Sequence, residues 1–371
     1  MRRIAFLDYL RVIAIFMVLV IHSTEPYYLN DDGLFVASAS DGAWVTVYEI
    51  LCRACVPLFV MASAYLLFPT AKPTGEFLRR RLVKVCLPFA FWCCVYTLWN
   101  GGEWGRMLFN FPMAAGGHLW FVPMLFGLYL LMPLLSPWAE RAGEKEIRGW
   151  LIVWLFTTLI PFIRWIFATV YGNGWTHVFG EANFDNIPFL WGECGWNSFG
   201  TFQYVSGFFG YMLLGFWLRK FRADWSRETV GLLVVMSAFL GAAVMQLGFG
   251  TRICLARDYP VAGPYPCAVD LETAIEYCSI GVVGMTVAWF LAIRAWCTGE
   301  GAFYRCVIRP LSGASYGVYL VHILLLVPIS AALKPILPTA LAIPVTAAAT
   351  FALSAAVALV LKRIPLLARV V

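Results

Sequence analysis

The chain is short of charge. Only 13% of its 371 residues are Asp, Glu, Lys or Arg, against 61% apolar residues. It also lacks a charged linker, a low-complexity tract and any polar tail long enough to fold separately, so one domain spanning residues 1–371 is expected and a soluble multidomain enzyme is excluded. A net charge of +6 is too small, on so apolar a chain, to call for a nucleic-acid partner. No G-x-S-x-G elbow is present, which argues against a serine nucleophile. The four histidines include no H-x-x-x-H pair, so no metal site is expected. No small-residue cleavage site follows the first apolar run, which is therefore read as a retained helix. No internal repeat of the transporter kind is visible. Of the eleven cysteines, Cys52 and Cys55 form a C-x-x-C without a thioredoxin-like context and read as packing residues. Cys254 and Cys267 share one outer loop, where an oxidising compartment would let them pair and a reducing one would leave them free.

What remains is a set of long apolar runs, each able to cross a bilayer as a helix. Ten are read, at about 4–24, 43–68, 82–100, 119–137, 148–171, 204–220, 228–249, 272–297, 310–333 and 340–361. The fold class expected is all-α, a polytopic membrane helical bundle with membrane lipids around it. Alternate loops differ in charge: one set holds 20 of the Lys and Arg residues, the other only Arg106, Arg252, Arg257 and Lys334. Basic residues collect on the cytoplasmic side, so both termini are placed there. Two outer loops, 172–203 and 250–271, are long; the first carries Trp175, Phe179, Phe184, Phe189, Trp191, Trp196 and Phe199 with Glu181, Asp185 and Glu193. These aromatics suit either a carbohydrate-stacking surface or an interfacial belt.

Charged groups inside the first apolar run demand a reason, because an ionisable side chain at mid-bilayer costs roughly 2.5–3.5 kcal/mol. Asp8, Arg11 and His22 all lie there. Eleven residues separate Arg11 from His22, which returns a helix to within about 20° of the same face and advances it roughly 16 Å. Asp8 sits one turn below Arg11. The stripe therefore has a carboxylate and guanidinium near its inner end and an imidazole near its outer end. Neutral imidazole suits proton removal from a hydroxyl, so His22 is a candidate general base. A histidine satisfied by a cross-helix hydrogen bond is the plainer alternative, and Asp8 with Arg11 could simply neutralise each other.

Other polar groups can be placed in the same way. Arg79, Arg80, Arg81 and Lys84 open the third span, either as a positive-inside anchor or as a phosphate-recognition cluster. Glu49 and Arg53, four residues apart in the second span, read as an internal structural pair, and Pro57 beyond them is expected to kink the helix and free carbonyls. His118 and Trp120 stand at the outer start of the fourth span. Tyr316, Tyr319 and His322 recur at three-residue spacing in the ninth, a polar stripe that implies a lined cavity. Glu272 and Glu276 are placed at the outer start of the eighth. Three of the four histidines, His22, His118 and His322, fall toward the outer side of spans, and His177 in an outer loop.

LDYLRVIAIFMVLVIH at 7–22, RACVPLFVMASAYLL at 53–67, FLRRRLVKVCLP at 77–88, HLWFVPMLFGLYLLMP at 118–133, GYMLLGFWL at 210–218 and LSGASYGVYLVH at 311–322 together resemble the acyltransferase-3 family of bacterial integral membrane acyltransferases. The resemblance implies a multi-pass protein of the bacterial cytoplasmic membrane. It implies transfer of an acyl group, most commonly acetyl, from cytoplasmic acyl-CoA to a hydroxyl of an extracytoplasmic carbohydrate or lipid-linked sugar. Acyl-CoA is then a donor substrate, and no permanently bound cofactor is implied. His22 matches the family's essential histidine and Arg11 its helix-one arginine on the donor path, with Asp8, Arg80, Arg81 and Lys84 as further donor-binding candidates. Where the family has Arg-x-x-Arg, this chain has Arg81 and Lys84, so position 84 keeps charge but not bidentate contact. Where it has Ser-Gly-Tyr, this chain has Ser63, Ala64 and Tyr65. The acceptor hydroxyl or the developing oxyanion would meet His118, Trp120, Tyr316, Tyr319, His322 or Glu276. A pantetheine arm reaches roughly 15–20 Å, comparable with the rise from Arg11 to His22. The competing expectation from the residues alone is a glycan or small-anion transporter in which the same stripe lines a permeation path.

Overall fold

A helix of about 20 residues rises about 30 Å, the thickness of a bilayer's hydrocarbon core, and the apolar runs fold to that length. The computed structural model describes residues 3–30, 33–34, 36, 38–109, 115–163, 199–222, 225–251, 253, 272–365 and 367–371. Helix α1 covers Ala5–Thr24. The second span consists of α2 (Ala39–Cys52) and α3 (Cys55–Leu67). The third joins α4 (Thr74–Arg81) to α5 (Leu87–Trp99) through a π-helical turn at Leu82–Cys86. A short α6 (Trp104–Phe109) precedes α7 (Phe121–Arg141) and α8 (Glu144–Thr157). Then come α9 (Phe209–Phe221), α10 (Arg227–Met245), α11 (Ile280–Trp296), α12 (Arg309–Leu333) and α13 (Thr339–Leu361). Apart from a hairpin of two-residue strands, Leu29–Asn30 against Gly33–Leu34, the described architecture is helical. The chain is an all-α polytopic bundle.

Among the described residues, eight helices are long and apolar enough to cross a membrane. The other two expected spans are shorter than read from sequence. The one placed at 204–220 begins only at Phe209, because Gly207 adopts φ +69°, a left-handed conformation that ends the preceding 3-10 turn. The one placed at 272–297 begins at Ile280, where the Ser279 side chain caps the helix by accepting from the Val282 amide. Glu272 and Glu276 therefore lie before the helix, and Glu276 is exposed. The expectations for His177, for Cys254 and Cys267, and for most of loops 172–203 and 250–271 fall outside the described residues.

Pro57 explains the split in the second span. A proline cannot bond to the carbonyl four residues back and its ring crowds that carbonyl; four back from Pro57 is Arg53, and the break falls at Arg53 and Ala54. Close helix contacts rest on glycine. A Cβ on Gly241 would lie 2.6 Å from the Gly281 carbonyl oxygen, which is how α10 lies against α11. Helix α1 runs through the middle, packed on α2, α3, α11, α12 and α13.

Basic residues at one end of the bundle do a second job. A helix's last carbonyls have no intrahelical partner, and here neighbours' cations supply one. Arg219 donates to the carbonyls of Tyr65 and Phe68 at the end of α3, each at 2.5 Å. Lys220 reaches the carbonyls of Ala139, Glu140 and Ala142 at the end of α7, at 3.1–3.2 Å. Arg294 holds those of Leu218 and Arg222 at 3.1 and 2.8 Å. The residues that signal orientation in sequence thus also stitch the C-terminal ends of three helices together.

Candidate functional site

The polar stripe of α1 separates into two environments. Asp8 is 1% exposed and fully engaged. Its carboxylate accepts from Arg3 Nε at 2.6 Å and Nη2 at 3.2 Å, from Tyr304 Oη at 2.7 Å and from Ser312 Oγ at 2.6 Å. Arg11 Nη1 stands further off, at 3.6 Å. The hydrogen bond to Asp8 raises the Arg3 guanidinium's pKa above its ordinary value. Asp8 therefore joins the start of α1 to the π-turn at Tyr304–Ile308 and to α12, and leaves Arg11 free to face inward.

A cavity of about 260 Å³ begins where Arg11 faces. Arg11, Lys84, Ser63 and Ser315 line its inner part, and His22, His118, Trp120 and Tyr277 its outer part. Tyr129, Tyr316 and Tyr319 line its wall. Seven of the residues singled out from sequence thus share one space, although they come from four spans. Arg80 does not join them; it is exposed and paired with Glu76 at 2.6 Å. Arg81 points between the rings of Phe77 and Tyr129, 5.9 Å from each centroid, with its buried Nε unpartnered among the described residues. Glu276 is not on the cavity wall.

At the outer end three imidazoles converge. Ring centroids lie 5.2 Å apart for His22 and His322, 5.2 Å for His118 and His322, and 6.4 Å for His22 and His118. His22 Nδ1 is 2.8 Å from Glu25 Oε1. A carboxylate only accepts, so Nδ1 carries a proton, and in the neutral ring Nε2 keeps its lone pair. His322 Nδ1 likewise faces the Tyr319 carbonyl at 2.5 Å and must donate to it. Its Nε2 and that of His118 are buried without a partner among the described residues, an uncommon condition for buried polar atoms. The three rings do not make a metal site: among the described residues no group of His, Cys, Asp and Glu is arranged to hold one.

Two tyrosines have their hydroxyl protons committed. Tyr316 donates to the Val85 carbonyl at 2.7 Å and Tyr319 to the His118 carbonyl at 2.8 Å. They position the π-helical turn before α5 and His118 rather than offering free donors. Glu49 and Arg53 form the expected buried pair at 3.2 Å, extended by Thr24 Oγ1 on Glu49 at 2.6 Å and by Arg53 Nε on the Ile275 carbonyl at 2.8 Å. Arg53 also lies over the Tyr277 ring, 4.8 Å from its centroid, which fixes one wall of the cavity.

Sequence reasoning passed over Glu25, Tyr129, Tyr277 and Ser315 as wall or contact residues, and Ser63 entered it only through the family's Ser-Gly-Tyr motif. Glu25 had a signal, the His-x-x-Glu spacing at 22–25 that places both on one helix face. The others are ordinary residues in apolar helices and carry none.

A helical bundle with a polar cavity buried along its central helix defines a membrane protein that handles a substrate between its helices. Residues 4–359 match the acyltransferase-3 family, described as an acyltransferase domain. The chain belongs to that family and is a multi-pass membrane acyltransferase. Comparisons with curated proteins and with solved structures give no match.

Proposed function

We propose that this protein moves an acetyl group from cytoplasmic acetyl-CoA to a hydroxyl of an extracytoplasmic carbohydrate or lipid-linked glycan, across the bacterial cytoplasmic membrane. One observation carries the reading: a single cavity has Arg11 and Lys84 at one end and His22 at the other. The cations suit the phosphates of the donor, and the roughly 16 Å rise between Arg11 and His22 suits its extended arm.

In this reading Glu25 holds His22 with Nε2 as the free base. The acceptor hydroxyl gives its proton to Nε2 while its oxygen attacks the thioester carbonyl carbon. The carbon–sulfur bond then breaks, the acyl group stays on the acceptor oxygen, and His22 returns the proton to the departing thiolate. Negative charge on the carbonyl oxygen needs a donor nearby. His118 and Trp120 fit that task better than Tyr316 and Tyr319, whose protons are already held.

The test is transfer of label from acetyl-CoA to glycan in membranes carrying the protein. His22→Ala abolishes transfer while CoA still protects the protein thermally. Transfer retained in that variant removes His22 as the base. Solute flux that is independent of CoA would instead favour a permeation path.

A further inference from the structure

A second cavity, of about 400 Å³, lies apart from the histidine cluster. Tyr27, Ser38, Ser40, Asp41, Trp44 and Lys334 line it. The residues come from the end of α1, the start of α2 and the turn between α12 and α13, all at the outer end of the bundle. Its size is within the ordinary range for small-molecule sites, roughly 300–1,000 Å³.

The chemistry of the lining is mixed in a particular way. Asp41 accepts from Ser38 Oγ at 2.8 Å and from Thr339 Oγ1, one hydroxyl on each oxygen. Each oxygen keeps a further acceptor site. Lys334 donates to the Pro26 carbonyl and rests 5.1 Å from the Tyr27 ring centroid, which leaves other N–H groups for a ligand. Ser40 is exposed, and the Trp44 indole is 40% exposed beside them.

Those valences exclude several occupants. An acyl chain would leave the remaining acceptor sites of Asp41 and donor groups of Lys334 without partners, which is unfavourable. A phosphate would be set against the Asp41 carboxylate. A neutral pyranose matches every part: its hydroxyls both donate to Asp41 and accept from Lys334 and Ser40, and its C–H face suits the indole.

Position adds the second argument. Tyr27 follows His22 by five residues, roughly 8 Å along a helix axis, and the Lys334 bond to Pro26 ties this cavity to the end of α1. We propose that the cavity is a saccharide subsite that holds a neutral hexose unit of the glycan, next to the unit presented to His22. The word glycan here rests on the acyl-transfer reading above; the affinity for a hexose does not.

The experiment uses the full chain in nanodiscs, with methyl α-D-glucopyranoside, methyl α-D-mannopyranoside and methyl β-D-galactopyranoside as probes. Saturation-transfer NMR reads their binding in the wild type and in Trp44→Ala, Asp41→Asn and Ser40→Trp. The last variant fills the exposed cavity without touching a buried group. At least one pyranoside should bind, and each variant should weaken it about five-fold or more. Thermal melting and CoA binding equal to wild type certify that the variants are folded. Silence of all three pyranosides in the wild type overturns the proposal, as does binding that ignores Trp44, Asp41 and Ser40. So does saturation by glycerol 1-phosphate in place of the sugars, which would mark a lipid-headgroup site. Sugar binding that responds to these variants in a protein inert toward acetyl-CoA keeps the subsite and removes the acyl-transfer reading.

Discussion

The two ends of α1 carry ionisable groups in equally apolar surroundings and treat them in opposite ways. At the inner end Asp8 has a donor for nearly every lone pair and is sealed from the cavity. At the outer end His22 has one partner, Glu25, and turns the rest of its ring to open space beside two imidazoles with idle nitrogens. A saturated charge in a membrane helix is architecture, since its desolvation is repaid by fixed neighbours. An unsaturated group facing a cavity is positioned for a ligand. Arg11 stands between these cases, close enough to Asp8 to be oriented by it and directed into the cavity.

Four substitutions break or sharpen that contrast. The largest effect belongs to His22→Ala, for which transfer should fall on the order of 10²–10⁴-fold with folding unchanged; a labelled acetyl-CoA assay beside a thermal melt reads both. Asp8→Ala should do the reverse. Deserting Arg3, Tyr304 and Ser312 costs about 3 kcal/mol of stability, seen as a lower melting temperature in detergent, with protein that remains folded still transferring. If Asp8→Ala melts like wild type and loses only activity, the division between the two ends is wrong. Lys84→Ala should raise KM for acetyl-CoA about ten-fold and spare kcat, since the ammonium acts on ground-state binding; an unchanged KM would place the donor elsewhere. The smallest effect is that of Tyr319→Phe, about 1 kcal/mol of stability from the lost bond to the His118 carbonyl, with transfer nearly intact. A loss as deep as that of His22→Ala would make Tyr319 a participant instead of a support.

Much of the bundle was legible because length and apolarity alone specify a membrane helix. A disturbance of the second span could be expected from Pro57, where the structure has a full break at Arg53 and Ala54, and the pairing of Glu49 with Arg53 from their four-residue spacing. The start of α11 could not. Glu272 and Glu276 sit in an apolar context that continues smoothly into the helix, and Ser279 gains its meaning as a cap only when the chain before it turns. The stripe of α1 was readable because one helix carries it. The meeting of His22 with His118 and His322 was not, since three spans must pack before those rings approach. Arg219, Lys220 and Arg294 show the same limit: their sign is visible in sequence, but their work as caps for α3, α7 and α9 depends on which helix ends lie beside them.

Helix α9 has 13 residues, a rise of about 20 Å, and Arg219 and Lys220 moor its inner end to α3 and α7. A Cβ on Gly215 would lie 2.8 Å from the Met61 carbonyl oxygen, so the helix is also pressed against α3. At that length it is about 10 Å shorter than a typical hydrocarbon layer is thick. Above it the chain is an irregular segment, with Phe208 stacked near Trp120 and Tyr277 at the roof of the cavity. On this side the cavity is therefore closed by an irregular segment resting on Trp120 and Tyr277 of its wall, and not by a continuous helix.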